Sequence, residues 1–306
     1  MISRNRMYWV LGQYSLALLG IAVLAALSVP CAADETAIRG GHFTTSDGVR
    51  LHYLEAGKGP ALVFIPGWMM PGEIWDPQIR HFARNYQVVA LDPRSQGESE
   101  RPSEGHYPER RARDIRELIE HLKLSNVVLV GWSLGVGEVL TYAREFGTAD
   151  LHALVLVDAF LSDPDKASVE RWRGMFTWLK TMQTDRRKWT EDFVRNMYAK
   201  PHPEAYVKRI TEMALRTPTS SAFALIGNVF AQADWRPAAA KIDRPVLFVC
   251  QASSKASAEL FQSVLPATRV ETLDGVGHAL FVDDPERFNS IVDDFVRNLG
   301  SKESEL

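Results

Sequence analysis

Two runs in the chain, Val127-Val128-Leu129-Val130 and Leu154-Val155-Leu156-Val157, are apolar at every position. A strand with one wet face alternates apolar and polar side chains. A strand that is apolar on both faces has to be covered on both, as the inner strands of a parallel sheet are covered by their crossover helices. Further short apolar stretches occur over residues 49–56, 61–65, 87–91, 245–251 and 268–273, and the two runs extend to strands over 127–131 and 151–158. Between them lie amphipathic stretches over 74–85, 108–122, 135–146, 256–265 and 285–299. Strand and helix in alternation imply right-handed crossovers, so the expected fold is α/β, with a doubly wound, mostly parallel central sheet. No internal repeat or low-complexity segment interrupts it.

One segment breaks the alternation. From Phe160 to Lys241 the apolar residues recur at helical spacing: Val169, Trp172, Phe176, Leu179; then Trp189, Phe193, Met197; then Tyr206, Ile210, Met213. A helical insertion before the penultimate strand would cover the carboxyl edge of the sheet, where α/β proteins bind ligands. The expected organisation is therefore a core of residues 34–160 and 241–306 with a helical cap of residues 161–240. Most of the cap aromatics should hold it together. A minority among Trp172, Phe176, Trp178, Trp189 and Phe193 should line an apolar pocket.

The first 33 residues read differently. Arg4 and Arg6 precede a stretch without charge from Met7 to Ala33, and small residues Cys31-Ala32-Ala33 stand before Asp34. That is the pattern of a secretory signal peptide, cleaved after Ala32 or Ala33. Residues 9–29 are also long enough to anchor the chain in a bilayer if they are retained, which is the one route to membrane contact. Removing the leader takes two arginines and no acid, so the formal net charge goes from −3 to −5. Apolar residues at 46% and charged ones at 24% exclude wholesale disorder and a polytopic membrane protein. No basic face suggests nucleic acid. Arg110, Arg111, Arg113 and Arg116 are interleaved with Glu109, Asp114, Glu117 and Glu120, which reads as a solvated, salt-laced helix face. With Cys31 in the leader, Cys250 remains, in an apolar run where it should be a small buried hydrophobe.

Gly131-Trp132-Ser133-Leu134-Gly135 follows a buried strand and opens a helix. This is G-x-S-x-G in the context of strand, sharp turn and helix that gives the motif its meaning. The turn pushes the serine hydroxyl out from the strand tip, and side chains two positions either side would collide with it. The helix behind supplies free N–H groups, Leu134 among them, for a developing oxyanion.

On these residues the chain resembles the α/β-hydrolase fold superfamily, in the manner of its serine carboxylesterases, from about residue 43 to 299. Phe64-Ile65-Pro66-Gly67-Trp68 stands where the family has a strand followed by His-Gly-x. The resemblance thus implies that Trp68 gives a second oxyanion N–H. Asp92-Pro93-Arg94-Ser95-Gln96-Gly97-Glu98-Ser99 is similar to the family's D-x-R-G-x-G-x-S loop, and Asp284-Pro285-Glu286-Arg287-Phe288 opens the last helix in the family manner. Departures are Pro66 for the usual His, Ser95 for a Gly, and Val136 for a second Gly after the elbow.

A serine needs a base. His278, between Gly277 and Ala279 after the last strand, is the candidate, and the other seven histidines lie near strand starts, on helix faces or in the cap. The family's usual site for the acid is a Gly-x-x-Asp after the strand at 245–251, but here the run is Gln251-Ala252-Ser253-Ser254. Some members, including certain haloalkane dehalogenases, carry the acid one strand earlier. The resemblance then implies Asp158, 25 residues past Ser133, with Asp274 as second choice. Serine at 133 argues against dehalogenase and epoxide hydrolase chemistry, which need a carboxylate nucleophile. The expected activity is hydrolysis of an ester, lactone or related acyl bond in a small apolar acyl compound, through an acyl-enzyme and without a cofactor or metal. Cofactor-free perhydrolase or haloperoxidase activity and a non-enzymatic ligand receptor are the competing classes.

Overall fold

The computed structural model describes residues 35–161, 169–231 and 234–303. The leader, with its candidate anchor, lies outside them. Eight strands form one sheet in the order β1-β2-β4-β3-β5-β6-β7-β8. They are β1 (Arg39–Thr44), β2 (Arg50–Ala56), β3 (Ala61–Ile65), β4 (Gln87–Asp92), β5 (Val127–Trp132), β6 (Leu151–Val157), β7 (Val246–Gln251) and β8 (Arg269–Leu273). β2 runs antiparallel to both its neighbours, and all pairings from β4 to β8 are parallel.

Helices cover both faces, as the doubly apolar runs require. α1 (Asp76–Phe82) follows a 3-10 turn at Gly72–Trp75; α2 (Pro108–His121) and α3 (Leu134–Phe146) flank β5. α9 (Lys255–Val264), the short α10 (Leu280–Asp283) and α11 (Pro285–Glu303) belong to the second half of the core. Although β3 is buried throughout, its side chains still alternate. Leu62 and Phe64 join Trp75 and Phe281 on one face, while Val63 and Ile65 join Ile115, Leu118 and Val139 on the other. Between β6 and β7, the described residues form α4 (Val169–Thr181), α5 (Arg186–Arg195), α6 (Glu204–Leu215), α7 (Thr219–Ala231) and the short α8 (Arg236–Ala239). The side chains of Val169 and Trp172 lie outside the described residues.

Two expectations need correction. The strand β1 has no counterpart in the sequence reading, because Arg39-Gly40-Gly41-His42 carries almost no apolar signal. Its glycines answer to a neighbour instead: a Cβ on Gly41 would fall 2.3–2.6 Å from the Tyr53 ring. The arginine stretch on α2 is also not a solvated face. Arg110 and Arg111 are buried, and the ion pairs turn inward. Asp114, itself buried, accepts two bonds from Arg94 at 2.6 and 2.7 Å and a third of 2.7 Å from Arg110 Nη2. The interleaving of signs was real, but α2 packs against α3 and the D-x-R loop, so half of it faces the core. Only the outer members behave as expected, Arg116 pairing with Glu120 at 2.6 Å.

Candidate active site

Every candidate site residue falls at the carboxyl end of a parallel strand, on the edge where open α/β sheets bind ligands. Ser133 sits between β5 and α3 with φ 56° and ψ −116°, a conformation that L-residues rarely adopt. The local sequence makes it possible. A Cβ on Gly131 would lie 2.7 Å from the Gly135 carbonyl oxygen, and one on Gly135 would lie 2.7 and 2.8 Å from those of Ile65 and Pro66. The strained serine is pinned on both sides. Its N–H donates to Val157 O at 2.9 Å, and its own carbonyl accepts from Val136 N at 3.0 Å.

Three sequence-distant side chains meet here. His278 Nε2 lies 2.8 Å from Ser133 Oγ, and His278 Nδ1 lies 2.6 Å from Asp158 Oδ2. An ionised carboxylate can only accept, so Nδ1 carries the imidazole proton and Nε2 presents a lone pair to the serine hydroxyl. Asp158 follows β6 with φ 44° and is fully buried. Gln251 fills two more of its lone pairs: the backbone N–H donates to Oδ1 at 3.0 Å and the side-chain amide donates to Oδ2 at 2.8 Å. A buried carboxylate needs such donors to stay charged. Asp274, the alternative acid, is exposed and makes no bond to His278. Ser254, in the loop after β7, is buried, and its Oγ has no partner among the described residues.

The His278 loop is fastened from several sides. Trp132 Nε1 donates to His278 O at 2.9 Å, and Gly277 N–H donates to Asp283 Oδ2 at 2.7 Å. Asp283 also accepts from Ala199 N–H at 2.8 Å and contacts His202 Nε2 at 2.9 Å, while Ala279 N–H donates to Met197 O at 2.9 Å. The Phe160 ring stands 5.2 Å from the imidazole and is 60% exposed, so it leaves a large apolar surface beside His278.

The turn after β3 lies against the serine, since a Cβ on Gly67 would come within 3.2 Å of Ser133 Cβ. Leu134 opens α3, so its N–H has no acceptor within the helix. Neither Trp68 N–H nor Leu134 N–H has a hydrogen-bond partner among the described residues. Both are free to donate to an oxyanion beside Ser133. The Trp68 ring points the other way, into the helices between β6 and β7. It packs at 5.5–5.9 Å from Trp178, Trp189 and Phe193, and its Nε1 donates to Ala222 O at 2.9 Å. Cys250 is buried, and burial pushes its thiol up, which disfavours the thiolate.

The sequence reading did not single out Gln251, Trp132 or Asp283 for these supporting roles. For Gln251 a signal existed: it opens the loop in which the usual carboxylate is missing. Nothing in the pattern marks Trp132 or Asp283.

Comparison with known proteins agrees with the fold. The chain is 27% identical over 271 residues to a non-heme chloroperoxidase of Kitasatospora aureofaciens, covering 80% of this chain and 95% of that one. Its fold matches an esterase from Exiguobacterium antarcticum with a TM-score of 0.77 at 24% identity, over 85% of this chain and all (100%) of that one. A bromoperoxidase from Bacillus anthracis matches equally, at TM-score 0.77 and 24% identity, with coverage of 85% and 100%. The sequence model of the alpha/beta hydrolase family spans residues 62–291, from β3 into the last helix and through every candidate site residue, and the chain belongs to that family.

Proposed function

We propose that the protein is a serine hydrolase that cleaves carboxylic ester, lactone or related acyl bonds through an acyl-enzyme. The observation that carries this reading is the relay from Asp158 Oδ2 to His278 Nδ1 at 2.6 Å and from His278 Nε2 to Ser133 Oγ at 2.8 Å. Ser133 Oγ attacks the acyl carbonyl as His278 takes its proton, and the oxyanion receives the N–H groups of Trp68 and Leu134. The tetrahedral adduct collapses, His278 protonates the leaving alkoxide, and water repeats the sequence to release the acid. Asp158 holds the imidazole tautomer and stabilises the imidazolium. Residues 161–240 act as a cap over this edge, and the aromatic cluster around Trp68 favours apolar acyl or alcohol groups of modest size.

The test combines labelling with turnover. A fluorophosphonate should add once to the wild type and not at all to Ser133→Ala. p-Nitrophenyl esters from acetate to hexanoate should show tightening binding, roughly 0.8 kcal/mol for each buried methylene, until the pocket is full. Labelling of Ser133→Ala at wild-type stoichiometry refutes the nucleophile, and a flat series refutes the apolar pocket.

The likeness to a chloroperoxidase supports a second reading, in which hydrogen peroxide replaces water at the acyl-enzyme. The products would be a peracid and free Ser133, and the peracid would then oxidise halide to hypohalous acid while reverting to the carboxylic acid. Bromination that depends on added acetate and on Ser133 tests it. We also infer export, from the charged start and uncharged centre of the leader, with a mature chain beginning near Asp34. An intact mass of the full-length chain in an exporting host, in membranes or in cytosol, would overturn cleavage or export respectively.

A further inference from the structure

The turn that carries Trp68 is itself in an unfavourable conformation. Gly67 O accepts from Met70 N at 3.2 Å, and Met69, third of the four residues, has φ 62°. That position of a type II turn favours glycine or asparagine, because a Cβ there is strained. A strained turn persists only where its surroundings over-determine it. Here one side chain bonds three of the four turn residues. Gln96, fully buried, donates from Nε2 to Gly67 O at 3.1 Å and to Met70 O at 2.8 Å, and its Oε1 accepts from Met69 N at 3.3 Å.

A glutamine amide could be turned over, which would point a carbonyl at two carbonyls and undo the grip. What forbids the flip is Arg111. Both its Nη atoms donate to Gln96 Oε1 at 3.2 Å, and a guanidinium can only donate, so the oxygen must face it. Arg111 in turn forms a close ion pair with Glu138, Nε to Oε1 at 2.6 Å, with both residues buried. Glu138 lies on α3, one turn beyond Ser133. The chain of contacts therefore runs from the nucleophile's own helix through Arg111 and Gln96 to the turn opposite the nucleophile.

We propose that Gln96, oriented by the buried Arg111–Glu138 pair, is a positioning residue that holds the 67–70 turn and so aims the Trp68 N–H at the oxyanion. The inference rests on the acyl-transfer reading above. Gln96 touches no reacting atom, and its effect is confined to the state in which negative charge sits on the carbonyl oxygen. The signature is a fall in kcat with KM little changed, matched by weaker binding of a tetrahedral adduct.

The test uses the full-length protein, p-nitrophenyl acetate and phenylboronic acid, whose serine adduct places an oxygen in the oxyanion site. Loss of one oxyanion donor costs about 10²–10³ in kcat. Gln96→Leu, which only lets the turn relax, should lose about ten- to a hundredfold in kcat, keep KM within about threefold, and weaken phenylboronate in proportion to the loss in kcat/KM. The double variant Arg111→Met with Glu138→Leu replaces the ion pair by apolar groups of similar size, a change that often preserves stability. It should stay folded and show the same pattern more mildly. A folded variant of either kind with kcat within twofold of wild type overturns the proposal, and so does a fall in kcat with phenylboronate affinity unchanged. Ser133→Ala separates this from failure of the acyl-transfer reading, which falls if that variant hydrolyses ester and binds phenylboronate like wild type.

Discussion

Asp158→Asn tests the relay at its least familiar member. In the folded protein Oδ1 is held by the Gln251 backbone N–H at 3.0 Å, which requires an acceptor there. The substituted amide must therefore keep its oxygen on that side and place its NH₂ where Oδ2 now stands, facing His278 Nδ1 at 2.6 Å. Two donors cannot face each other, so the imidazole adopts the other tautomer. Nε2 then carries the proton and points it at Ser133 Oγ, which can no longer be deprotonated. The same tautomer error in a serine protease lowers kcat by about 10⁴, equivalent to roughly 5.5 kcal/mol of activation free energy. We expect a fall of about a thousand- to ten-thousandfold here. KM should change little, because Asp158 is buried away from the substrate. Rates of p-nitrophenyl acetate hydrolysis and of fluorophosphonate inactivation should fall together, with the circular dichroism spectrum unchanged. Asp274→Asn, at an exposed site, should stay within about twofold of wild type. A folded Asp158→Asn variant within tenfold of wild-type kcat would refute the reasoning, whatever the result at Asp274.

Three further outcomes follow from named contacts. Gln251→Leu removes the amide that donates to Asp158 Oδ2 at 2.8 Å, and a bond of this kind to a charged group is worth about 1.5 kcal/mol, so kcat should drop about tenfold; no change in kcat would deny Gln251 its role. Gly135→Ala should lower the melting temperature and abolish labelling of Ser133, because the new Cβ lands 2.7 Å from Ile65 O; thermal melting at wild-type temperature would contradict the elbow geometry. Burial holds His106 down to about 4, so its contribution to stability is present above 6.5 and lost as pH falls toward 4. Burial also pushes Glu138 up to about 7 despite the neighbouring Arg111, so its contribution is present below 4.5 and lost as pH rises toward 7. The two slopes oppose each other between about pH 4.5 and 6.5. The unfolding free energy of Glu138→Gln, from urea titrations, should therefore fall with acid more steeply than that of wild type, and that of His106→Gln should rise with acid. Parallel pH profiles for the two variants would show that neither group titrates as described.

How much of this was legible in the sequence depended on whether a residue's role is set by its own neighbours along the chain. The inner strands were readable because burial on both faces leaves an unmistakable apolar run. The elbow was readable because Gly131 and Gly135 are each required by a close backbone approach. Asp158 and His278 could be placed at strand ends, but their meeting needed the sheet order that sets β6 beside β5. Other roles are fixed by elements far away. Arg111 looks like a solvated helix residue until Gln96 and Glu138 are brought to it, and Gln96 looks like a variable loop position until the strained Met69 is seen beside it. Strand β1 was invisible because pairing with β2, not side-chain burial, makes it a strand.

The fastening of the His278 loop bears on how far this protein is modular. Asp283 grips Ala199 and His202, and Ala279 grips Met197, so residues 197–202 belong mechanically to the His278 loop although they lie in the inserted helical segment. Gly277 enforces the fit, since a Cβ there would lie 2.6 Å from Met197 O. A chimera that exchanges the whole insertion for that of a relative would import a new pocket and lose this anchorage, leaving the imidazole aimed by Trp132 and Asp158 alone. Grafting therefore has to cut around residues 197–202, keeping them as part of the host scaffold. Substrate range is then open to redesign in α4 and α7, on either side of a stretch that sequence diversification should leave untouched.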